Sequence, residues 1–273
     1  MRPTPTLTPM RNALLFLLLL LPAAAAAQLY HPGEALTYKV SYRAKLFPNT
    51  EVATVTVRTD QVTEEGETRY RISGHGRTLP FYNLFFSLDD RYTLLVDPAT
   101  QRTEVFESDI HEGSYTFRSR YDYDWQQMQV ATRWRKRQNP EQYKTMPLSD
   151  ESMDAISLFF NMRTAAAADF SPGERRQLRM VLEDTIRSLT YRFIGRETVK
   201  VRRLGTFRTL KFACTIGTSE GFSFTDGDEF FLWISDDDNK LPLRLESPIR
   251  VGSVRASLAE VSGTKYPLDS RVK

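Results

Sequence analysis

Apolar and polar side chains alternate along most of the chain, and this alternation predicts a protein built from β-strands. Leu36, Tyr38 and Val40 are separated by polar residues, and a period of two places them on one face of a strand. Such a pattern, with one apolar and one polar face, indicates antiparallel strands with one side in water. The predicted strands are 36–42, 53–58, 67–75, 90–97, 101–109, 115–123, 127–136, 176–183, 187–196, 197–203, 206–216, 228–235, 241–247 and 251–261.

One segment departs from this period and predicts a single helix over 150–168. Met153 and Ile156 have helical spacing there, and Ser149 or Asp150 is positioned to cap the first turn. About 12–13 strands do not remain a flat open sheet, because twist makes a sheet of that size curl or split. The predicted fold class is therefore mainly β: a large curled antiparallel sheet, barrel or half-barrel, whose concave face one mid-chain helix covers or plugs.

The concave face of such a sheet needs an apolar cover, and the helix is the long apolar element available for it. We expect Met153, Ile156 and Phe159 or Phe160 to pack into the concavity, and the segment 79–86 to close one end. The residues expected to line the concave face are Leu36, Tyr38, Val40, Val55, Val57, Tyr115, Phe117, Leu243 and Leu245.

The first 27 residues have the pattern of a secretory signal peptide. Basic residues precede an apolar run over 13–27, which is shorter than the roughly 20 residues that a membrane-spanning helix needs. Pro22 and the alanines after it predict cleavage near Ala27, with translation starting at Met1 or Met10. We therefore expect a mature protein in the periplasm or outside the cell, without a transmembrane anchor after cleavage.

Composition narrows the function classes. No low-complexity linker divides residues 28–273, so they are predicted to form one β domain. The net charge of +3, from 37 basic and 34 acidic residues, gives no field that would favour nucleic acid as a partner. The lone Cys214 excludes an internal disulfide and a thiolate zinc site, and it is predicted to be a buried structural thiol. No catalytic or phosphate-binding motif is present, so we expect no cofactor, no metal and no catalytic residue.

Three local features have a structural interpretation beside a functional one. Gly74-His75-Gly76 is interpreted as a bulge or turn, and 236–239 as a solvated hairpin loop rather than a calcium site. The basic run 133–137 places Arg133, Arg135 and Arg137 on one face of a strand. That face is predicted to lie in water, and contact with an anionic envelope polymer or lipid headgroups is the alternative.

The segment Leu79-Pro80-Phe81-Tyr82-Asn83-Leu84-Phe85-Phe86 is the most suggestive for function, because six of its eight residues are large and apolar or aromatic. Core packing or a short interior helix is one interpretation. The other is an apolar mouth that handles an acyl chain or another hydrophobic group. On the second interpretation the candidate ligand-binding residues are Phe81, Tyr82, Phe85, Phe86 and Phe160.

Six stretches of the chain together carry a resemblance to a known family. They are Pro32–Val40, Asp90-Arg91-Tyr92 with Asp97-Pro98, Ile110–Tyr115, Asp154–Phe160 with Arg163, Leu232–Asp236, and Leu241–Glu246 with Gly252. These stretches resemble the bacterial exported proteins grouped as domain of unknown function 3108. The resemblance implies a β-protein of the cell envelope without an agreed activity, whose shape is similar to that of periplasmic lipoprotein carriers. Asp154 and Arg163 lie on opposite faces of the predicted helix, and each is expected to meet a strand residue, with Arg91 or Asp90 the natural candidates.

Three functions follow as hypotheses. The first is a non-enzymatic module that binds a hydrophobic small molecule or lipid. The second is a structural or assembly factor that holds an envelope protein or polymer through strand edges or the basic run. The third and weakest is a polymer hydrolase that uses paired carboxylates, of which Glu183-Asp184 and Asp228-Glu229 are examples.

Overall fold

The computed structural model describes residues 29–44, 47–164, 170–216, 229–248 and 252–272, and within them sixteen strands form one sheet. The first eight strands are β1 (Ala35–Ala44), β2 (Phe47–Glu64), β3 (Glu67–Thr78), β4 (Asp89–Val96), β5 (Thr103–Glu112), β6 (Tyr115–Asp124), β7 (Gln129–Lys136) and β8 (Gln142–Pro147). The others are β9 (Ser152–Met153), β10 (Arg175–Leu182), β11 (Thr185–Val201), β12 (Gly205–Ile216), β13 (Glu229–Ser235), β14 (Pro242–Pro248), β15 (Ser253–Ser262) and β16 (Arg271–Val272). Helix α1 (Ala155–Asn161) continues into a 3-10 turn (Met162–Thr164), and a second 3-10 turn (Tyr82–Leu84) joins β3 to β4.

The sheet is a meander whose two halves meet at β1, which pairs with both β2 and β15. From edge to edge the order is β8-β7-β6-β5-β4-β3-β2-β1-β15-β14-β13-β12-β11-β10-β9, with β16 paired to β12. All of these pairs are antiparallel except β9 with β10. The predicted fold class, a large curled antiparallel sheet with one mid-chain helix, is confirmed.

The strand count differs from the predicted number for physical reasons. The edge strand β8 was not predicted, because five of its six side chains are exposed and its sequence therefore lacks an apolar alternation. The predicted strands 187–196 and 197–203 are one strand, β11, with a bulge at Gly195 where φ is 151°. The two-residue strands β9 and β16 are too short to carry a period.

The two margins of the sheet meet through side chains at the turn between β10 and β11. Glu183 donates its backbone N–H to the Tyr121 hydroxyl at 2.9 Å and forms an ion pair with Lys136 at 2.6 Å. Lys144 donates to the carbonyl oxygen of Asp184 at 2.7 Å. These contacts give the unclosed sheet a barrel-like shape with two ends. At one end of this shape β1 and β5 begin and β13 finishes, and we call it the "helix end". At the opposite end β3 finishes and β4 begins, and we call it the "far end".

Helix α1 is fixed across the helix end by its N-cap, Asp154, which is fully buried. The Asp154 carboxylate accepts the backbone N–H groups of Ile156 at 2.9 Å and Ser157 at 2.8 Å, and the Thr103 hydroxyl at 2.9 Å. The predicted cap at Ser149 or Asp150 and the predicted partner Arg91 are therefore wrong. The helix is also shorter than the predicted 150–168, and the alanines of that range at 165–168 lie outside the described residues.

The opposite end of the helical segment is fixed by Arg163. Its guanidinium makes two hydrogen bonds to the Glu34 carboxylate, at 2.6 and 2.9 Å, and donates to the carbonyl oxygen of Asn239 at 3.0 Å. Glu34 is only 2% exposed, so this is a buried ion pair between the helix and the residue just before β1. The expected partner Asp90 is wrong for Arg163, because Asp90 instead accepts the backbone N–H of His111 at 3.1 Å.

The turn at 236–239 is a hairpin connection, as predicted, but only part of it is solvated, since Asp238 is exposed and two other side chains are buried. Asp237 and Asn239 are buried. Asp237 accepts the hydroxyl of Ser270, and Asn239 donates to the carbonyl oxygens of Tyr266 and Pro267. The C-terminal segment packs over this loop and replaces water as its hydrogen-bond partner.

The apolar core extends along the interior of the sheet, and Phe160 lies in it with no exposed surface and its ring 4.8 Å from that of Tyr30. Leu36 and Leu243 are fully buried in the same core. On the outer face the long hairpin of β11 and β12 reaches across to β14 and β2. Arg244 of β14 donates to the carbonyl oxygen of Lys200, and Arg202 forms an ion pair with Glu51 of β2 at 3.1 Å. Among the described residues no helix has the length and hydrophobicity needed to cross a bilayer.

Candidate functional site

A cavity of about 460 Å³ lies inside the curled sheet, between helix α1 and the strands toward the far end. Every lining residue except Ser108, Ser119 and Arg244 is apolar or aromatic. The lining residues are Tyr38, Val55, Val57, Tyr92, Phe106, Ser108, Ile110, Phe117, Ser119, Tyr121, Ala155, Ile156, Leu158, Phe159, Met162, Met180, Leu182, Leu189, Cys214, Phe230, Leu232, Pro242, Arg244, Leu245 and Ala256.

Most polar groups in this wall are bonded to other protein groups. The hydroxyls of Ser108 and Ser119 bond to each other at 2.8 Å across β5 and β6. The Tyr38 hydroxyl donates to the carbonyl oxygen of Pro242 at 2.9 Å, and the Tyr121 hydroxyl accepts the backbone N–H of Glu183. Burial raises the pKa of Tyr121 to about 12 and that of Tyr38 further, so both rings stay neutral. The wall therefore presents mainly hydrocarbon and ring faces to the cavity.

Several interior side chains remain partly exposed, which means that the cavity is reached by solvent. Val55, Tyr92, Ile110 and Phe159 are half-buried although they point into the sheet, and Ala155 is exposed. A closely packed interior would bury all of them. It does bury Leu94, which is on the same strand as Tyr92, and Ile72, which is on the neighbouring strand β3. Exposed apolar surface in a concave site is typical of ligand pockets.

Strand β3 contributes no side chain to the wall, because its inward positions are Gly74 and Gly76. A Cβ atom at Gly74 would lie 3.7 Å from the Ile156 side chain, and one at Gly76 would lie 3.4 Å from that of Leu88. The register of β3 with both neighbours is continuous here, so the predicted bulge or turn at Gly74-His75-Gly76 is wrong. These glycines leave room for helix α1 and for the space beneath it.

The two faces of helix α1 have different environments. Phe160 is buried in the core, whereas Ile156 and Phe159 are half-buried and line the cavity. Phe159 packs edge-on against Tyr38, with the ring centroids 6.0 Å apart. The expected packing of Ile156 and Phe159 into the concavity is confirmed, while Met153 lies in a second hydrophobic cluster with residues of β10 to β13.

Of the nine residues expected on the concave face, Tyr38, Val55, Val57, Phe117 and Leu245 line the cavity. The wall on the β10–β13 side was not expected from the sequence, although the period of two was present there as well. The lining residues of these strands are Met180, Leu182, Leu189, Cys214, Phe230 and Leu232. The way the sheet curls decides which of its strands face the cavity. No local sequence pattern predicts how a sheet curls.

Cys214 lies in this wall and is buried, as predicted. Burial, and after it the charge of Glu229, raises the pKa of its thiol to about 12. A thiol with such a pKa is protonated at neutral pH and is a poor nucleophile. Its contribution to the site is apolar contact.

Two carboxyl groups with raised pKa values lie near the far end. Burial raises the pKa of Asp90 to about 6, and the charges of Glu112 and Asp89 act in the same direction. Burial also raises the pKa of Glu112. Neither residue lines the cavity. Of the predicted acidic pairs, Glu183 is bound to Lys136, and Asp228 lies outside the described residues.

The segment 79–86 is at the far end, but its side chains do not line the cavity. Phe81 is 67% exposed, Phe85 78% and Phe86 54%, and Tyr82 is half-buried. Core packing of this segment is therefore wrong. Of the five ligand-binding residues predicted from the sequence, Phe160 packs in the core. The other four, Phe81, Tyr82, Phe85 and Phe86, belong to the turn between β3 and β4.

The basic run lies on the outer face of β7. Arg133, Arg135 and Arg137 are exposed, and Trp134 and Lys136 alternate with them as half-buried residues, as the period of two predicted. In the described part of the chain no group of three or more His, Cys, Asp or Glu residues is arranged to hold a metal ion.

Comparisons with known proteins agree with this architecture. The model of the family described as "Protein of unknown function (DUF3108)" matches residues 37–259. The chain belongs to this family. The match covers every strand that contributes to the cavity wall, from β1 to β15, so the cavity is built from the family's domain.

Among solved structures, this family member is similar to a beta-barrel-like protein of domain of unknown function DUF1849 from Brucella abortus. The identity is 9%, the TM-score is 0.54, and the match covers 85% of this chain and 98% of the other. At that identity the likeness establishes a shared fold and nothing about activity. No curated protein matches the sequence.

Proposed function

We propose that this DUF3108-family protein is a non-enzymatic module that binds a hydrophobic ligand, such as an acyl chain or lipid tail, in the cavity beneath helix α1. The observation that carries the proposal is the combination of a solvent-reached space with a wall of hydrocarbon and ring faces. Because the hydroxyls of Ser108, Ser119, Tyr38 and Tyr121 in the wall already have partners, a polar ligand would find few groups to bind.

The size and composition of the cavity suit such a ligand. Small-molecule sites commonly measure about 300–1,000 Å³ and are mostly apolar, and this cavity of about 460 Å³ lies within that range. Met162 and Met180 both line the cavity, and methionine side chains adapt readily to the shape of an apolar ligand. The guanidinium of Arg244, the charged member of the wall, donates to the Lys200 carbonyl oxygen on the outer face, so the interior of the cavity stays apolar.

The place of action is part of the same proposal. The pattern of residues 1–27 supports export through a cleaved signal peptide, which would bring the domain to the periplasm or outside the cell. There a carrier or binding module for hydrophobic molecules would act between lipid surfaces and water.

The experiment is titration of the purified mature domain with a fluorescent fatty acid, together with native mass spectrometry of protein isolated from its own host. Ala155→Trp places a large ring in the cavity from an exposed position at the start of α1. Ala131→Trp, on the exposed outer face of β7, is the matched control. We expect saturable binding by the natural chain and the control, and binding at least about tenfold weaker in Ala155→Trp.

Absence of both a co-purifying hydrophobic molecule and saturable probe binding in the natural chain would overturn the proposal. Equal affinities for the two tryptophan variants would overturn the assignment to this cavity.

A second candidate, an assembly factor for an envelope protein, is favoured by the edge strand β8. Its backbone pairs with β7 on one side only, and Tyr143 on it is 69% exposed. Such an edge can accept a strand from a partner. Crosslinking in intact cells from position 143 tests it: one discrete adduct supports a protein partner, and no adduct contradicts it.

A further inference from the structure

The turn between β3 and β4 is the densest group of exposed large hydrophobic side chains in the described part of the chain. Phe81, Leu84, Phe85 and Phe86 are 54–83% exposed, and they fall within six consecutive residues. Phe81 packs against Tyr82 and Phe85, with ring centroids 5.1 and 6.1 Å apart, so the rings form a cluster at the surface. Apolar surface of this kind commonly marks an interaction site.

The backbone of the turn is largely satisfied from within. Tyr82 and Asn83 donate their N–H groups to the Leu79 carbonyl oxygen, and Phe85 and Phe86 donate theirs to that of Tyr82. Between Leu79 and Leu88 there is no charged residue. A segment without charge and with most of its amide groups bonded can leave water at a reduced cost, which favours entry into the apolar part of a lipid layer.

Arginines and carboxylates both lie near the turn at this end of the sheet. Asp89, which follows the turn, is paired with Arg91 and His75, and Asp90 is buried. Arg43 lies near the end of β1, Arg77 near the end of β3, and Arg137 directly after β7. All three side chains are exposed, and none forms an ion pair with another described residue. Guanidinium groups beside an apolar anchor are complementary to the phosphates of anionic lipid headgroups.

We infer that the turn 79–86 docks the protein on an anionic phospholipid surface, with its aromatic side chains in the interface and Arg43, Arg77 and Arg137 at the headgroups. This orientation directs the far end of the sheet, toward which the cavity lies, at the lipid. Uptake of a lipid ligand from that surface rests on the proposed function, whereas the docking itself does not.

Flotation of the mature domain with phospholipid vesicles tests the docking. One set of vesicles is phosphatidylcholine, and the other contains about one third phosphatidylglycerol. We expect binding to the anionic vesicles that weakens as salt is raised. Leu84→Ser/Phe85→Ser removes two exposed apolar side chains and is expected to lower the vesicle partition coefficient by about tenfold or more. Arg43→Ser/Arg77→Ser is expected to lower it on anionic vesicles alone.

The controls separate this proposal from the previous one. Tyr143→Ser and Ile194→Ser alter exposed apolar residues elsewhere and are expected to bind vesicles as the natural chain does. Binding of the soluble fatty acid without vesicles is expected to stay unchanged in Leu84→Ser/Phe85→Ser, since neither residue lines the cavity.

Three outcomes would overturn the docking proposal. They are the absence of vesicle binding by the natural chain, equal binding by Leu84→Ser/Phe85→Ser, and self-association that this double variant abolishes, which would assign the turn to a second copy of the chain. If the natural chain docks on vesicles but does not bind the fatty acid, that result would contradict the proposed function and leave the docking proposal intact.

Discussion

The two ends of the curled sheet are built in opposite ways. At the helix end Asp154 and Arg163 are fixed by the buried partners Thr103 and Glu34, and Phe160 has no exposed surface. At the far end apolar side chains in the interior stay half-exposed, and Phe85 beyond them is 78% exposed. One end carries polar groups that are buried and paired, and the other carries apolar groups that are left without a cover.

This difference separates stability from binding. Buried and fully paired polar groups hold α1 in one position, because any displacement would leave a buried charge without a partner. Uncovered apolar surface contributes little to folding and is available to a ligand or lipid surface. We therefore expect substitutions at the helix end to act on stability and those at the cavity to act on ligand binding.

The largest effect is expected for Phe160→Ala. The ring is fully buried and packs on Tyr30, so its removal leaves a cavity in the core. Substitutions of this kind cost about 3–5 kcal/mol, a large part of the roughly 5–15 kcal/mol that stabilises a typical domain. Urea unfolding followed by tryptophan fluorescence measures the loss. A cost below about 1 kcal/mol would contradict the packing described for Phe160.

Arg163→Met is expected to cost about 3 kcal/mol, because it leaves the Glu34 carboxylate buried without its partner. Replacing both residues, in Glu34→Leu/Arg163→Met, removes the unpaired charge and is expected to restore much of the stability. Unfolding curves of the two variants and the natural chain measure both effects. A double variant no more stable than the single one would show that the unpaired Glu34 carboxylate is not the cause of the loss.

Phe159→Ala is the matched counterpart of Phe160→Ala on the other face of α1. Phe159 is half-buried and lines the cavity, so its loss is expected to cost about 1 kcal/mol of stability. Fatty-acid binding is expected to fall about tenfold, because the ring supplies wall surface beside Tyr38. The comparison fails if Phe159→Ala lowers the melting temperature as much as Phe160→Ala and leaves binding unchanged.

The sequence was sufficient for the fold because the period of two is regular in strands such as β1 and β6, which face the core on one side and water on the other. It was insufficient for β8, whose side chains face water almost throughout. Hydrophobicity also identified the segment 79–86 as unusual without revealing that its side chains are exposed. Apolar composition is the same for a core segment and for a surface that awaits a partner.

The contacts that fix the helix could not be predicted from local patterns. Thr103 and Asp154 are 51 residues apart, and Glu34 and Arg163 are 129 apart, so only the curled sheet brings them together. A better signal was present at Gly74-His75-Gly76, where two glycines at inward positions of a strand indicate empty space beside them. Interpreting the glycines by their face of the strand, rather than as a turn, would have placed the cavity next to β3.

The smallest effect concerns Asp90 and depends on pH. Burial raises its pKa from 3.8 to about 6, so the folded protein holds this proton more tightly than the unfolded chain does. Stability therefore falls as the pH rises from about 4 to 6, and the cost of the ionised carboxylate is complete above that window. Asp90→Asn keeps an acceptor for the His111 N–H without the charge. It is expected to raise the melting temperature at pH 7–8 and to lose this advantage below about pH 4.

Asp109 provides the control of opposite sign for this pH dependence. Burial opposes ionisation there, but hydrogen bonds from Arg118 and His111 hold the pKa of Asp109 below its ordinary value. A depressed pKa contributes stability above the unfolded value that is lost as the pH falls, so Asp109→Asn is expected to be less stable than the natural chain near neutral pH and to approach it in acid. Melting temperatures of Asp90→Asn, Asp109→Asn and the natural chain from about pH 2 to 8 test both expectations. If the curves of Asp90→Asn and the natural chain run parallel, the Asp90 carboxyl is not held in the protonated form by its burial at the far end, and the half-open interior there is wetter than its packing implies.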